Sequence, residues 1–510
     1  MSHTSACQHP AWISSPYFIW ALCAITSIAS AIIISPDSPF THNGLCHIDT
    51  AWFYDAGRWL MTGLTPYVDF ADSKGPLLWL FYGIGYLLDP DGWEGVFWLY
   101  AIYYIFVLRV VWSTARIWLG NDTNAALVVV CMPFLYYANA HYENRAEDLC
   151  QLPLIYLIYL LSLALDRRAI TRIQYVLAGV ALGTMIFVKW NFPIMLAPLL
   201  AATLFLEYRN GKSSVQLIDN NRVSTSGGVI YTLLGIVGIA VIVATWMSAQ
   251  GAIQAMIFEY FHSTAGTIHF DAPIYFIKQY IFRLLIHVPT AQTWTLVFFF
   301  CTLMAGWRRF GRKGLLPGIC YACIIAFICL VPDHAYYEQI GNSFGIFIPI
   351  LVILLLKNMY SPSIRVLPIL MLATLISLFW PLSFHENSRF RKCEYGYGET
   401  YFKMQERTSQ LVQPKILYLG SDYGLGIKSS ALPASRYWSQ QWYALPHMVK
   451  SQREAMHTTN ADIVVTGLTD SLPLQYGYHS NDDDIFVSPY PSGGNLRVWW
   501  SPRIQTVYPQ

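Results

Sequence analysis

Between His47 and Trp79 the sequence reads HIDTAWFYDAGRWLMTGLTPYVDFADSKGPLLW, with the acids Asp49, Asp55, Asp69 and Asp72, the bases Arg58 and Lys74, and many aromatic rings set between hydrophobic segments. Ionisable groups recur at the edges of other apolar runs. HYENRAEDL carries Glu143, Arg145, Glu147 and Asp148; GVALGTMIFVKW ends on Lys189; FHSTAGTIHFDAP carries His262, His269 and Asp271; PDHAYYEQ carries Asp333, His334 and Glu338. An ionisable residue inside a membrane span costs about 2.5–3.5 kcal/mol on insertion scales, so such groups invite a functional reading. One chemistry suits the set. A carboxylate at the lipid boundary acts as general base on an acceptor hydroxyl. Cations hold a lipid-linked phosphate and stabilise it as a leaving group. Aromatic rings stack on sugar faces or line an acyl groove.

Each group also has a plainer reading. Asp49 and Asp55 suit a solvated face of an interfacial helix, Lys74 suits a snorkelling side chain, and Glu147 with Asp148 suits the favourable N-terminal end of the next helix. The lone histidines suit structural roles. Placement on one membrane face is what joins them.

The elements that must position these residues are membrane spans. The chain of 510 residues is 55% hydrophobic and 12% charged, against about a quarter charged in soluble domains, and its mean hydropathy is positive. A net charge of +2 supplies no basic face for a nucleic acid. Runs of about 20 apolar residues are expected near 17–35, 94–119, 123–140, 149–165, 174–188, 191–206, 227–247, 288–306, 315–331, 342–356 and 366–381. The segment 76–88 is short and carries two glycines, which predicts an interfacial or re-entrant helix. With the N-terminus inside and 76–88 not crossing, the basic clusters Arg167–Arg172, Arg209–Arg222, Arg308–Lys313 and Lys357–Arg365 all fall inside, as the positive-inside rule requires. Ala29-Ser30-Ala31 is a small-residue site of signal-peptide type, but the stretch before the first span has no Lys or Arg, which favours an uncleaved anchor.

The outer side then holds the loop 36–93, residues 141–148, residues 248–287 and a tail from about 382 to 510. The tail has strand-like stretches at 415–420, 461–467 and 495–500 and a helix-like stretch around 446–458, which predicts a small α/β domain. The expected division is a transmembrane domain over 1–381 and an extracytoplasmic domain over 382–510. Gly420, Gly424 and Gly426 lack dinucleotide-fingerprint spacing, and Asp482–Asp484 reads as a solvated loop. Most of the 10 cysteines lie in apolar runs; Cys320 and Cys323 have no second pair or histidines beside them, so small buried hydrophobes is the reading. Cys46 and Cys393 both fall outside, and their pairing is left open.

These motifs in this order resemble the GT-C superfamily of polyprenyl-phosphate-sugar-dependent glycosyltransferases, in particular the protein O-mannosyltransferase and lipid A aminoarabinose transferase group. Asp49-Thr50 stands where that family has an Asp-Glu pair, and Lys74-Gly75-Pro76-Leu77 where it has Lys-Pro-Pro-Leu. Glu147 or Asp148 matches its second acidic site, Gly179, Gly183 and Lys189 its Gly-x-x-x-Gly…Lys run, His269 to Pro273 its external His-x-x-Pro-aromatic segment, and HAYYEQ with Pro349 its late His-Tyr-x-x-Pro element. The likeness covers about three-quarters of the chain; Thr50 and Gly75 depart from the pattern, the first weakening a metal role for that loop.

The resemblance implies a mainly α-helical polytopic membrane protein of about eleven spans, with a small C-terminal α/β domain outside. It implies an inverting sugar transfer at the outer face of a bacterial cytoplasmic membrane. Asp49 would be the base. Lys74, Lys189 and Arg145 would hold the donor phosphate, and Glu147 or Asp148 would position sugar or acceptor. Asp55, His269 and His334 would touch substrate or a divalent metal ion, whose requirement stays open. The partners are a polyprenyl-phosphate-linked sugar, a glycan, lipid or protein acceptor, and membrane lipids. The alternative, a transporter or flippase, favours inverted repeats and midplane charges; no internal repeat is visible and the charges gather at one face.

Overall fold

A helix satisfies its own backbone groups, so an apolar run in lipid has little other choice of structure. The computed structural model describes residues 15–35, 37–40, 48–90, 92–140, 146–213, 224–263, 291–330, 341, 343–356, 406–420, 425, 431–439, 445–487 and 495–507. Within them the apolar runs are helices α1 (Pro16–Ile34), α2 (Ile48–Met61), α3 (Pro76–Leu88), α4 (Glu94–Leu119), α5 (Asp122–Ala140), α6 (Gln151–Leu165), α7 (Arg172–Ile186), α8 (Phe192–Ser213), α9 (Thr225–Ala249), α10 (Ala291–Phe310), α11 (Leu316–Leu330) and α12 (Phe347–Leu356). Six stretches among the described residues are long and apolar enough to cross a membrane, and the protein is an integral membrane protein. The stretch Thr295–Phe327 counts as one by composition but folds back at Gly311 (φ 63°). A Cβ on Gly306 would lie 1.6 Å from the Gly314 carbonyl oxygen, so α10 and α11 form a tight hairpin, with Arg308, Arg309, Arg312 and Lys313 at its bend. The expected span at 366–381 lies outside the described residues.

Glycines set how closely the helices approach. A Cβ on Gly57 would meet the Gly83 nitrogen at 2.5 Å, which seats α2 on α3. A Cβ on Gly179 would lie 1.9 Å from the Thr232 carbonyl oxygen, and Gly183 faces Ile236. The Gly-x-x-x-Gly run of α7 is thus a packing face for α9, as small residues provide between membrane helices.

The helix α2 is not a solvated amphipathic rod. Every residue from Thr50 to Leu60 is buried, including Asp55 and Arg58. Its cover comes from α3 on one side and from the C-terminal domain on another. That domain holds a five-stranded sheet of order β2-β1-β3-β5-β4. Strands β1 (Lys415–Tyr418), β2 (Leu432–Pro433) and β3 (Ile463–Gly467) run parallel to one another. Strands β4 (Ile485–Val487) and β5 (Asn495–Trp500) add antiparallel pairs. The helix α13 (Pro446–His457) separates β2 from β3. The acids Asp482–Asp484 are a short 3₁₀ turn rather than a wholly solvated loop, because Asp484 is buried. Its carboxylate accepts from Trp500 Nε1 at 3.0 Å and Arg407 at 2.9 Å.

The segment 431–439 straps this domain to the helices. The Ala431 carbonyl accepts from Arg58 at 2.9 Å and from Trp59 Nε1 at 2.7 Å. Trp438 packs edge-on against Trp59 with ring centroids 4.6 Å apart.

Candidate active site

The first turn of α2 carries Asp49, half-buried, where the helix dipole favours a carboxylate. About one and two-thirds and two and a half turns on, Asp55 and Arg58 form a buried ion pair at 3.0 Å. Burial pushes the Asp55 carboxyl up to about 7, against the pull of Arg58. Asp55 thus belongs to the contact between α2 and the strap.

After α2 the chain makes a tight turn in which Pro66 bridges Phe70. Tyr67 sits there at φ 64°, a left-handed conformation uncommon for a bulky residue and costly enough to need support from its surroundings. The support is visible. Tyr67 is fully buried, its N–H donates to the Phe70 carbonyl at 2.6 Å, and its ring centroid lies 4.8 Å from that of Trp79. Its hydroxyl donates to the carbonyl of Lys74 at 2.8 Å.

The tripeptide Asp72-Ser73-Lys74 is held from both sides. The N–H of Ala71 donates to the Arg436 carbonyl at 2.8 Å, and the N–H of Gly75 donates to the Val188 carbonyl at 3.0 Å. Leu77 N–H donates to the Phe187 carbonyl at 3.0 Å. A Cβ on Gly75 would lie 1.9 Å from the Phe187 oxygen. This accounts for glycine at a position where the resembled family has proline: the residue must donate a hydrogen bond, which proline cannot do, and must leave room for a carbonyl. Lys74 Nζ donates to Ser73 Oγ at 3.3 Å and lies 5.7 Å and 5.8 Å from the ring centroids of Trp52 and Phe53, within cation–π range.

The same two backbone bonds bring the end of α7 to Lys74. Just beyond, Lys189 pairs with Glu147 at 2.8 Å, with side chains 14% and 7% exposed. Glu147 and Asp148 begin the 3₁₀ turn that leads into α6. The Tyr104 hydroxyl donates to Asp148 Oδ1 at 3.5 Å, and the Tyr103 hydroxyl donates to the Leu149 carbonyl at 2.7 Å. The Tyr82 phenol is pushed well up, first by burial, with smaller pushes from Asp37, Asp148 and Asp49. Burial pushes the Asp72 carboxyl up, Lys74 and Ser73 pull it back, and Asp49 adds a smaller push up. The structure therefore gathers Asp49, Lys74, Glu147, Asp148 and Lys189, from four separate parts of the chain, at one end of the helices. Asp55 stands beside the strap. Arg145, His269 and His334 lie outside the described residues, as do Cys46 and Cys393.

The sequence reading passed over Asp72, Tyr67, Tyr82 and Glu259. Asp72 had a signal, its place two residues before Lys74. Glu259 sits in a π-helical turn, Ile257–Ser263, and accepts from the Tyr437 hydroxyl at 2.6 Å. Among the described residues no three His, Cys, Asp or Glu side chains are placed to hold a metal ion.

No family model matches the chain, and no curated protein matches it in sequence. In three dimensions it is similar to the crystal structure of ArnT from Cupriavidus metallidurans in the apo state, with a TM-score of 0.57 and 14% identity over 96% of this chain and 98% of that one. It is also similar to the Archaeoglobus fulgidus oligosaccharyltransferase in complex with Zn and sulfate, with a TM-score of 0.44 and 13% identity over 88% of this chain and 68% of that one. The first likeness shows that this chain shares the fold of that structure.

Proposed function

We propose that the protein is an integral-membrane glycosyltransferase that moves a sugar from a polyprenyl-phosphate donor to an acceptor hydroxyl outside the cytoplasm, with inversion. The observation that carries this reading is the convergence of the Lys74 and Lys189 segments, stitched together by the Gly75–Val188 and Leu77–Phe187 backbone bonds, with Lys189 paired to Glu147 and Asp49 in the first turn of the neighbouring helix α2. Two cations that close together and partly buried suit an anion with more than one charged oxygen. A carboxylate nearby suits a general base.

In the proposed step the acceptor oxygen attacks the anomeric carbon from the face opposite the phosphate. The bond from that carbon to the phosphate oxygen breaks, and its electron pair leaves with the lipid phosphate, neutralised by Lys74 and Lys189. The acceptor proton passes to Asp49. Glu147 holds Lys189 in place, Asp148 positions sugar or acceptor, and aromatic rings such as Trp52 and Phe53 line the approach. In this reading the N-terminus lies inside, the tail from about 382 outside, and the site at the outer face of a bacterial inner membrane, an orientation that the positive-inside rule supports.

The test is transfer by purified protein in liposomes containing polyprenyl-phosphate sugars. Asp49→Asn keeps size and hydrogen bonding but is no base near neutral pH. It is expected to lower turnover by roughly 10²–10⁴-fold, with donor binding retained. Parental turnover in this variant would remove Asp49 from the mechanism. Movement of intact donor across the bilayer without cleavage would favour a flippase instead.

A further inference from the structure

We propose that Asp72 is a sugar-binding residue: its free carboxylate oxygen accepts a hydroxyl of the sugar whose phosphate Lys74 holds. The inference rests on the glycosyltransferase reading and adds a residue to it. Three observations carry it. First, Asp72 is buried, with 5% of its surface exposed, and its Oδ1 accepts from both the N–H and the Oγ of Ser73. Those two bonds fix the carboxylate plane. Second, Oδ2 is buried and has no hydrogen-bond partner among the described residues. A buried carboxylate oxygen left unsatisfied is costly, so a ligand that supplies a donor gains there more than the usual hydrogen bond is worth. Third, the tripeptide is rigid: Ala71 is tied to Arg436, the Lys74 carbonyl to Tyr67, and Gly75 to Val188. Asp72 is therefore held on a fixed backbone two residues from Lys74, whose charge acts on it.

The ligand chemistry follows from what these two neighbours offer. A cation and an acceptor side by side fit a phosphate carrying a neutral polyol, which gives its charge to the cation and a hydroxyl hydrogen to the acceptor. A bare lipid phosphate has no such hydroxyl. A doubly charged phosphate would meet repulsion from Asp72, and from Asp49, which already acts on Asp72. Asp72 thus favours the glycosylated lipid over the spent one, which helps product leave.

The experiment compares two probes on the purified full-length protein in detergent: decaprenyl phosphate, and a set of decaprenyl-phosphate monosaccharides (glucose, mannose, arabinose). Binding is followed by quenching of the tryptophan fluorescence. The parent is expected to bind at least one glycosylated probe more tightly than the bare phosphate. Asp72→Ala is expected to weaken that probe by about 10- to 100-fold, the worth of a hydrogen bond to a charged group, while leaving the bare phosphate unchanged or bound more tightly. Asp72→Asn keeps an acceptor oxygen and is expected to fall between parent and Ala. Lys74→Met is expected to weaken both probes. Equal weakening of both probes by Asp72→Ala would mark Asp72 as a support for the loop, and a parent that shows no preference for any glycosylated probe would leave no sugar for it to bind; either result overturns the proposal. Bare phosphate binding that survives Lys74→Met and Lys189→Met overturns the wider reading instead.

Discussion

Lys189 is held by Glu147 at 2.8 Å, so a phosphate bound there shares that ammonium with a carboxylate. The pairing keeps the lysine aimed and charged until the substrate comes. Its cost is that neither partner can be removed alone without leaving the other buried, a loss of about 3–5 kcal/mol. Lys189→Met is therefore expected to lower both donor turnover and thermal stability. Combining it with Glu147→Gln should restore most of the stability and none of the turnover. Thermal unfolding followed beside activity checks this; restored turnover in the double variant would make Lys189 an anchor. Asp55 follows another logic. Its folded-state pKa, raised to about 7 by burial, exceeds that of an exposed aspartate, near 3.9. The fold then binds the proton more tightly than the unfolded chain between about pH 4 and 7, so stability should fall as pH rises through that window. Asp55→Asn is expected to flatten the slope of unfolding temperature against pH between 5 and 8, while an unchanged slope would mean that the dependence comes from elsewhere.

At the scale of elements, the junction between the end of α7 and the start of α3 is the most demanding piece. Gly75→Ala puts a methyl 1.9 Å from the Phe187 oxygen, so one strand of the junction must move. Expected is a loss of donor binding at least as large as that of Lys74→Met, with the protein still inserted. Wild-type donor affinity in Gly75→Ala would show that the junction does not set the site. Much of this level was legible beforehand. The long apolar runs became helices, and the stretches at 415–420, 461–467 and 495–500 became β1, β3 and β5, because period and β-branched content are local signals. Strands β2 and β4 were not legible: at two and three residues they carry no period of their own and exist by pairing. The nature of α2 was hidden for a related reason. Asp49 and Asp55 also suit a wet face, because the strap that packs on Arg58, the partner of Asp55, is encoded hundreds of residues later. The two lysines were legible as candidates through their motifs, whereas their union through Val188 and Phe187 is a backbone property with no side-chain signature.

For the whole molecule, the expectation concerns orientation. The basic residues at the α10–α11 bend and after α6 belong inside by the charge rule, and the sheet domain outside. Reporter fusions after Arg172 and at Gln510 are expected to be active inside and outside respectively; the reverse pattern would turn the site toward the cytoplasm. The strap at 431–439 joins that domain to α2, and the π-helical turn adds a second tie through Glu259 and Tyr437.

That strap has a consequence for how the protein is born. Arg58 donates to Ala431, 373 positions further along the chain. At ribosomal speeds of roughly 5–20 residues per second, the interval between the two is about 20–75 s. During that time α2 has left the ribosome without its lid, and Lys74 cannot meet the end of α7 until residue 188 has followed. A nascent chain therefore passes through the membrane as an unfinished tool. Under the proposed function it becomes competent only when the sheet domain has folded onto α2, and a product truncated before residue 431 is expected to be inert.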